Sequence, residues 1–273
     1  MLPGHCRAPI KLRWVDINKG DELHPKYRSR IVAKEIKTDN RPELFAATPP
    51  LEYIKYLISR CASRQRRARP SRLMIQDISK AYFFAPATRD IFIELPPEEA
   101  EPGMVGKLEK SLYGTRDAAL NWSKEYGDTL KQSGFVQGKN NPCLFQNKEI
   151  EVSIMVHGDD FVAVAARSKL DGLEARLKER YECKTQRIGW SKGSQQEGRI
   201  LGKTVILDKD GLTIEADPNL IEECISSLGL VGASPACTPA VKREHFDEIS
   251  SKALLEKRIK GKAQGEMLSD APG

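Results

Sequence analysis

The sequence predicts an α+β protein in which an antiparallel sheet is covered by helices on one face. Two observations carry the prediction. Segments alternating at strand period are interleaved with segments of helical period, in the order β-β-α-β-β-β-α-β-β-β-α, followed by two more strands and a helix. Two apolar runs, 152–156 (Val-Ser-Ile-Met-Val) and 161–165 (Phe-Val-Ala-Val-Ala), also flank a tight Gly158-Asp159-Asp160 turn, as strands joined directly in a hairpin do.

Residues 11–17 and 27–36 alternate at strand period around Asn18-Lys-Gly20 and His24-Pro25, predicting a two-stranded ribbon. Thr48-Pro49-Pro50 opens a helix with Leu51, Ile54, Ile58 and Cys61 on one face. Strands are predicted near 73–77, 91–95 and 104–109. A helix follows over 117–130, with Trp122, Tyr126 and Leu130 in register and Gly134 as its stop. Strands near 143–147, 150–156 and 161–166 surround the acidic turn. Ser168-Lys-Leu-Asp171 resembles a capping box, with Asp in place of the usual Glu or Gln, before the stripe Leu170, Leu173, Leu177, Tyr181. A polar loop at 189–198 precedes strands near 199–207 and 211–215. Asp217-Pro218 then caps a helix that Gly229 ends. Beyond about 242 the chain is charged and poor in large apolar groups, which predicts a disordered tail over 243–273.

With 273 residues, 40% of them hydrophobic, the chain can bury a sizeable core. The net charge of +6 suits contact with nucleic acid. The excess is concentrated at Arg60, Arg64, Arg66, Arg67, Arg69 and Arg72, a run that reads either as a solvated helix end and loop or as a polyanion contact near Asp77. The six cysteines (Cys6, Cys61, Cys143, Cys183, Cys224, Cys237) form no C-x-x-C pair and have no histidine at finger spacing, which argues against zinc and for a reducing compartment. No apolar run approaches the length of a membrane span, so an intracellular chain with no membrane partner is predicted.

Asp77 ends the apolar run 73–77, and Asp159 and Asp160 sit at the hairpin turn. Three carboxylates at strand ends are what a two-metal phosphoryl-transfer site needs. Magnesium prefers hard oxygen ligands, and substrate phosphates complete its shell. The same Gly-Asp-Asp also reads as a solvated turn of favoured turn residues.

The stretches Asp77-Ile-Ser-Lys-Ala-Tyr82, Ser111-Leu-Tyr-Gly-Thr-Arg-Asp-Ala-Ala119 with Trp122, and His157-Gly-Asp-Asp160 resemble the reverse transcriptase of copia-type LTR retrotransposons. Tyr27-Arg-Ser-Arg-Ile-Val-Ala-Lys34 is similar to that family's fingers segment, and Cys237-Thr-Pro239 to the segment following its polymerase domain. The matches fall in the family's order over roughly 11–242. The resemblance implies a right-hand polymerase core, with fingers and palm over 1–185 and a thumb-like connection over 186–242. It implies an RNA-directed DNA polymerase that adds deoxynucleotides to a primer 3′-end on an RNA or DNA template, using two Mg2+ ions or Mn2+ in their place. Other parts of a Pol polyprotein or a dimer partner would join it, in the cytoplasm, a virus-like particle or the nucleus.

By the same resemblance Asp77, Asp159 and Asp160 are the catalytic and metal-holding residues. Tyr82 would lie under the incoming sugar and exclude a 2′-hydroxyl; as a residue of a short helix it also reads as core. Arg30 and Lys34 match positions that hold the triphosphate, though an exposed hairpin would leave them solvated. Gly114 and Arg116 belong to the segment opening the helix under the template base. Trp122 reads as helix core rather than a base-stacking platform.

The chain departs from the family at His157-Gly158, where an aromatic and a small apolar residue are usual, and at Asp117 and Ala119, where an amide and a proline are. Asp117 is expected to cap its helix. These departures, and the lack of any match to protease, integrase or ribonuclease H domains, motivate the alternative of an inactive retroelement remnant that folds and binds nucleic acid. A two-metal nuclease is a third reading.

Overall fold

The structure, a computed structural model, describes residues 8–21, 23–64, 70–190 and 193–234. The chain divides into two compact units after Asp217. The first unit begins with an antiparallel ribbon of β1 (Leu12–Asn18) and β2 (Tyr27–Ala33). Asn18 turns the chain there, its side-chain oxygen accepting the N–H groups of Gly20 and Lys26. The ribbon stays largely exposed, with Trp14 at 58% and Tyr27 at 75%.

Helix α1 (Leu51–Ser63) follows the Pro49-Pro50 pair, and β3 (Ser71–Ile78) comes next. A two-stranded pair, β4 (Phe92–Ile93) with β5 (Gly106–Lys107), leads to α2 (Ala118–Gln132). Gly134 ends α2 at φ +80, with Phe135 N–H donating to Leu130 O and Gly134 N–H to Lys131 O. That is a Schellman close with its apolar pair Leu130 and Phe135 both buried. Strands β6 (Val136–Gln137), β7 (Leu144–Asn147), β8 (Val152–His157) and β9 (Asp160–Ala166) precede α3 (Arg167–Arg180) and β10 (Cys183–Ile188). A three-stranded sheet of β11 (Glu197–Ile200), β12 (Lys203–Asp208) and β13 (Gly211–Ala216) completes the unit.

The central sheet has six strands in the order β10-β3-β9-β8-β7-β6, every neighbouring pair antiparallel. Its alternating residues feed two cores. Met74, Ile154, Val156, Phe161 and Ala163 pack against Trp122, Tyr126 and Leu130 of α2 and Leu170, Leu173 and Leu177 of α3. Leu73, Ile75, Met155, Val162 and Val164 pack against Ile54, Leu57, Ile58 and Cys61 of α1 and against Val205 and Leu207 of the small sheet. Helices therefore cover both faces, not one as the sequence predicts. Each fully buried Leu or Ile in these cores contributes about 2–3 kcal/mol.

Other local expectations change as well. Leu51 is 55% exposed, and Leu57 takes its place in the buried stripe of α1. Helix α3 begins at Arg167 with Ala166 as its cap residue and no side-chain cap, so Ser168 does not cap it. The strand expected over 199–207 is two strands joined by a Leu201-Gly202 turn, both residues at positive φ as a type I′ hairpin requires. The expected boundary at 185/186 falls inside β10. In the second unit, α4 (Pro218–Ser227) ends at Gly229, φ +67, with Leu230 N–H on Ile225 O. The 243–273 tail, Cys237-Thr-Pro239, Cys6 and Arg66, Arg67 and Arg69 lie outside the described residues.

Candidate active site

Asp77, near the end of β3, is the register partner of Asp160, the first residue of β9. Its partner on the other side is Lys184 of β10, and the other partner of Asp160 is His157 of β8. Directly opposed residues of an antiparallel pair share a face. His157, Asp160, Asp77 and Lys184 thus form a row across four strands, on the face carrying Leu73, Ile75 and Val162.

Gly158 and Asp159 form the two-residue turn between β8 and β9. Gly158 takes φ +61 while Asp159 keeps a negative φ, the pattern of a type II′ hairpin with glycine first. Two hydrogen bonds from outside the hairpin tie the turn to its surroundings. Ile78 N–H donates to Asp159 O at 2.9 Å, and the Trp122 indole Nε1–H donates to Gly158 O at 2.8 Å. Strand pairing thereby brings Asp77, Asp159 and Asp160 to one end of the sheet.

Burial, then the charges of Asp159 and Asp77, push the Asp160 carboxyl up to about 6, against a smaller opposing effect of His157. Among the described residues, none of the three acids has an ion-pair partner within 4.0 Å. Nor does any group of three or more His, Cys, Asp or Glu there form a ligand cage by itself. The donor set is one of hard carboxylate oxygens, exposed at Asp77 and partly buried at Asp159 and Asp160. That chemistry fits magnesium, which is held by one or two carboxylates and completed by substrate phosphates and water.

Tyr82 lies in a 3-10 turn, Ala81–Phe84, half-buried against Tyr113 with ring centroids 4.4 Å apart. Burial and then the nearby negative charge of Asp159 raise the hydroxyl pKa of both tyrosines. Arg30 stacks over Tyr113 at 5.7 Å. Trp14, Arg28, Arg30, Lys80, Phe83 and Tyr113 line a cleft of about 260 Å³ beside this cluster. Lys80 holds φ +55, a left-handed conformation uncommon for a lysine. A larger cleft of about 450 Å³, lined in part by Tyr53, Tyr56 and Phe145, contains none of the acids.

The remaining sequence-predicted residues have other surroundings. Lys34 is exposed, its backbone N–H on Lys11 O. Gly114, at φ +88, lies where an added Cβ would come 2.0 Å from Ala33 O. Its bareness lets the 112–117 loop meet β2, where Ala33 N–H donates to Tyr113 O at 2.7 Å. The Arg116 guanidinium is paired with Asp39, which hydrogen bonds from Arg116 and Arg41 hold down at about 2. Asp117 does not cap α2. It is buried and accepts from Arg89 at 2.9 Å and from Asn121 at 3.3 Å. Burial pushes its carboxyl up, but the Arg89 hydrogen bond and charge outweigh that and leave it lowered. Arg89 also reaches Glu35 at 2.5 Å, and Glu35 accepts the Arg116 backbone N–H at 2.8 Å.

Of the arginine run, Arg60, Arg64 and Arg72 are described. Arg60 and Arg64 bond to Glu151, and Arg72 stands five residues from Asp77 along β3, about 17 Å away. Sequence reasoning missed Lys184, whose strand is too polar to announce itself, and the turn-holding bond of Trp122. Tyr113 sat inside a motif already singled out.

The profile of the family described as reverse transcriptase (RNA-dependent DNA polymerase) matches residues 2–242, and the chain belongs to that family. Its curated relatives are Pol polyproteins of copia-type transposons. It is 24% identical over 249 residues to the retrovirus-related Pol polyprotein from transposon TNT 1-94 of Nicotiana tabacum, covering 85% of this chain and 18% of that polyprotein. It is 30% identical over 128 residues to the transposon Ty1-BR Gag-Pol polyprotein of Saccharomyces cerevisiae, covering 46% of this chain and 7% of that one. The chain thus spans less than a fifth of the length of either relative. An apo telomerase from Candida tropicalis superposes loosely, with a TM-score of 0.41 and 9% identity over 74% of this chain and 54% of that one. Among the described residues no helix is long and apolar enough to cross a membrane.

Proposed function

We propose that this chain is the polymerase portion of a copia-type Pol polyprotein and extends a primer 3′-end with deoxynucleotides on an RNA or DNA template. The observation that carries the reading is the register of β3 with β9, which sets Asp77 opposite Asp160 beside the Asp159 turn. Asp77, Asp159 and Asp160 would hold two magnesium ions, or manganese in their place. Bound there, the ions would make the primer hydroxyl a better nucleophile and neutralise the triphosphate. Lys184, opposite Asp77, lessens the repulsion between the acids and an incoming polyanion. Arg30, fixed over Tyr113, offers a cation to phosphate oxygens, and Lys34 a more mobile one. The Tyr82 ring, backed by Tyr113, excludes a sugar 2′-hydroxyl. The six-stranded sheet with α2 and α3 would be the palm, the β1–β2 ribbon the fingers, and the segment after β10 a thumb-like connection. The setting would be intracellular, within a particle or a larger polyprotein assembly or with a dimer partner.

Primer extension on an RNA template tests this. Magnesium-dependent synthesis should appear with the wild type and vanish in Asp159→Asn; equal synthesis by that variant overturns the proposal. A second reading, a remnant that binds nucleic acid without extending it, draws on Arg116, already paired with Asp39. Filter binding without extension at any magnesium concentration would favour it, and shortened product would point to a nuclease.

A further inference from the structure

We infer that Trp122 is a positioning residue of the acidic turn: its indole N–H fixes the Gly158–Asp159 peptide and with it the direction of the Asp159 carboxylate. The inference rests on the proposed metal site and adds to it the device that holds the site in shape.

Trp122 is 1% exposed and its ring is enclosed by three others, Tyr126 at 5.5 Å, Phe161 at 6.3 Å and Tyr181 at 5.2 Å between centroids. These come from α2, β9 and the end of α3, so the indole cannot swing. It has a single polar atom, a donor, which a buried ring must satisfy. Its acceptor is Gly158 O, 2.8 Å away at the tip of the hairpin.

The turn closes on the His157–Asp160 pair of the ladder. Nothing lies within 4 Å of where a Gly158 Cβ would stand, and glycine is the most permissive residue. At Gly158 side-chain packing therefore does not fix the backbone; hydrogen bonds from outside the hairpin do. The carbonyl before Asp159 is held by Trp122 from the helical layer. The carbonyl of Asp159 is held by Ile78 N–H, from the residue that follows Asp77. With both flanking peptides tied, the φ and ψ of Asp159 have little room, and its carboxylate keeps its aim relative to Asp77. A partner behind the ligand commonly governs metal affinity in this way.

The test compares two α2 variants by two readouts, amide hydrogen exchange at Asp159 and Asp160 and Mn2+ binding followed by electron paramagnetic resonance. Trp122→Phe keeps an aromatic ring in the enclosure and removes the donor. Tyr126→Leu disturbs the same aromatic cluster and leaves the bond to Gly158. In Trp122→Phe the two amides should exchange roughly five- to tenfold faster and Mn2+ should bind roughly tenfold more weakly. Tyr126→Leu should keep both at wild-type values even with an equal loss of stability. Unchanged exchange in Trp122→Phe, or equal acceleration in Tyr126→Leu, overturns the inference. Should Trp122→Phe fail to fold, a tryptophan analogue with sulfur replacing the indole N–H keeps the shape and decides the matter by the same readouts. Absence of Mn2+ binding by the wild type would sink the metal-site reading, while the exchange contrast would still decide whether Trp122 holds the turn.

Discussion

The acidic turn and the opening of α2 are both rich in charge, and they treat it in opposite ways. At the opening of α2, Asp117 and Glu35 share Arg89, and Asp39 takes Arg116 and Arg41, so the charged side chains there are neutralised internally. At the turn, among the described residues, Asp77, Asp159 and Asp160 have backbone anchors nearby and no cation within ion-pair distance. Like charges 4 Å apart in a partly buried setting cost several kcal/mol, so such a cluster persists only where something offsets it. The contrast separates a region whose charged side chains pair with one another from one whose acids, among the described residues, have no ion-pair partner.

The largest effect expected from this contrast is catalytic. Asp159→Asn removes a charge at the turn with almost no change of shape. Extension should fall by roughly 10³-fold, as loss of several kcal/mol of charge stabilisation implies, while the melting temperature at neutral pH rises, because a charge that repels Asp160 is removed. The opposite balance holds for Asp117→Ala, which leaves Arg89 with only Glu35. It should lower stability by about 2–3 kcal/mol in urea titration, less than a fully buried pair would lose because Arg89 is partly exposed. Activity per folded molecule should change little by comparison. If Asp117→Ala abolished extension in a fully folded protein, the division of labour between the two regions would be wrong. Gly114→Ala should cost about 2 kcal/mol, since its φ of +88 disfavours a side chain and the new Cβ would strike Ala33 O. Thermal unfolding would read this loss, and a neutral result would mean that the loop does not meet β2 so closely.

The two regions also differed in how far the sequence revealed them. The acidic turn is local: Gly158 and the flanking apolar runs announce a hairpin, and its partner Asp77 ends another run. What could not be read was that β3 lies beside β9, since register is decided by pairing across the sheet. Strand β10 was invisible because Lys184, Thr185, Gln186 and Arg187 carry no apolar alternation; pairing with β3 makes it a strand. The Arg89 ion pairs were unreadable for a related reason. Arg89 stands 28 residues from Asp117 and 54 from Glu35, and only the folded chain brings them together. Asp117 looked like a cap because it precedes a helix, yet the partly buried Arg89 outcompeted the helix end for its carboxylate.

The smallest effect tests the electrostatics of the turn without catalysis. Asp160 titrates near 6 in the folded chain, above the ordinary carboxylate value of 3.8, chiefly because burial and then the neighbouring acids disfavour its charge. Between those values the folded state binds the proton more tightly than the unfolded state. The stabilisation is therefore full below about pH 3.8 and is lost as pH rises through 6. The carboxylates held low by arginines, Asp39 and Asp117, act in the opposite sense and only at lower pH, so they leave this window clear. In EDTA the urea midpoint of the wild type, relative to Asp160→Asn, should fall from pH 4.5 to pH 7. Magnesium should flatten that slope, because a bound cation favours the ionised form. A flat difference in EDTA would mean that Asp160 ionises as a solvated surface acid. The acidic turn would then be no more charged against itself than the fully paired opening of α2.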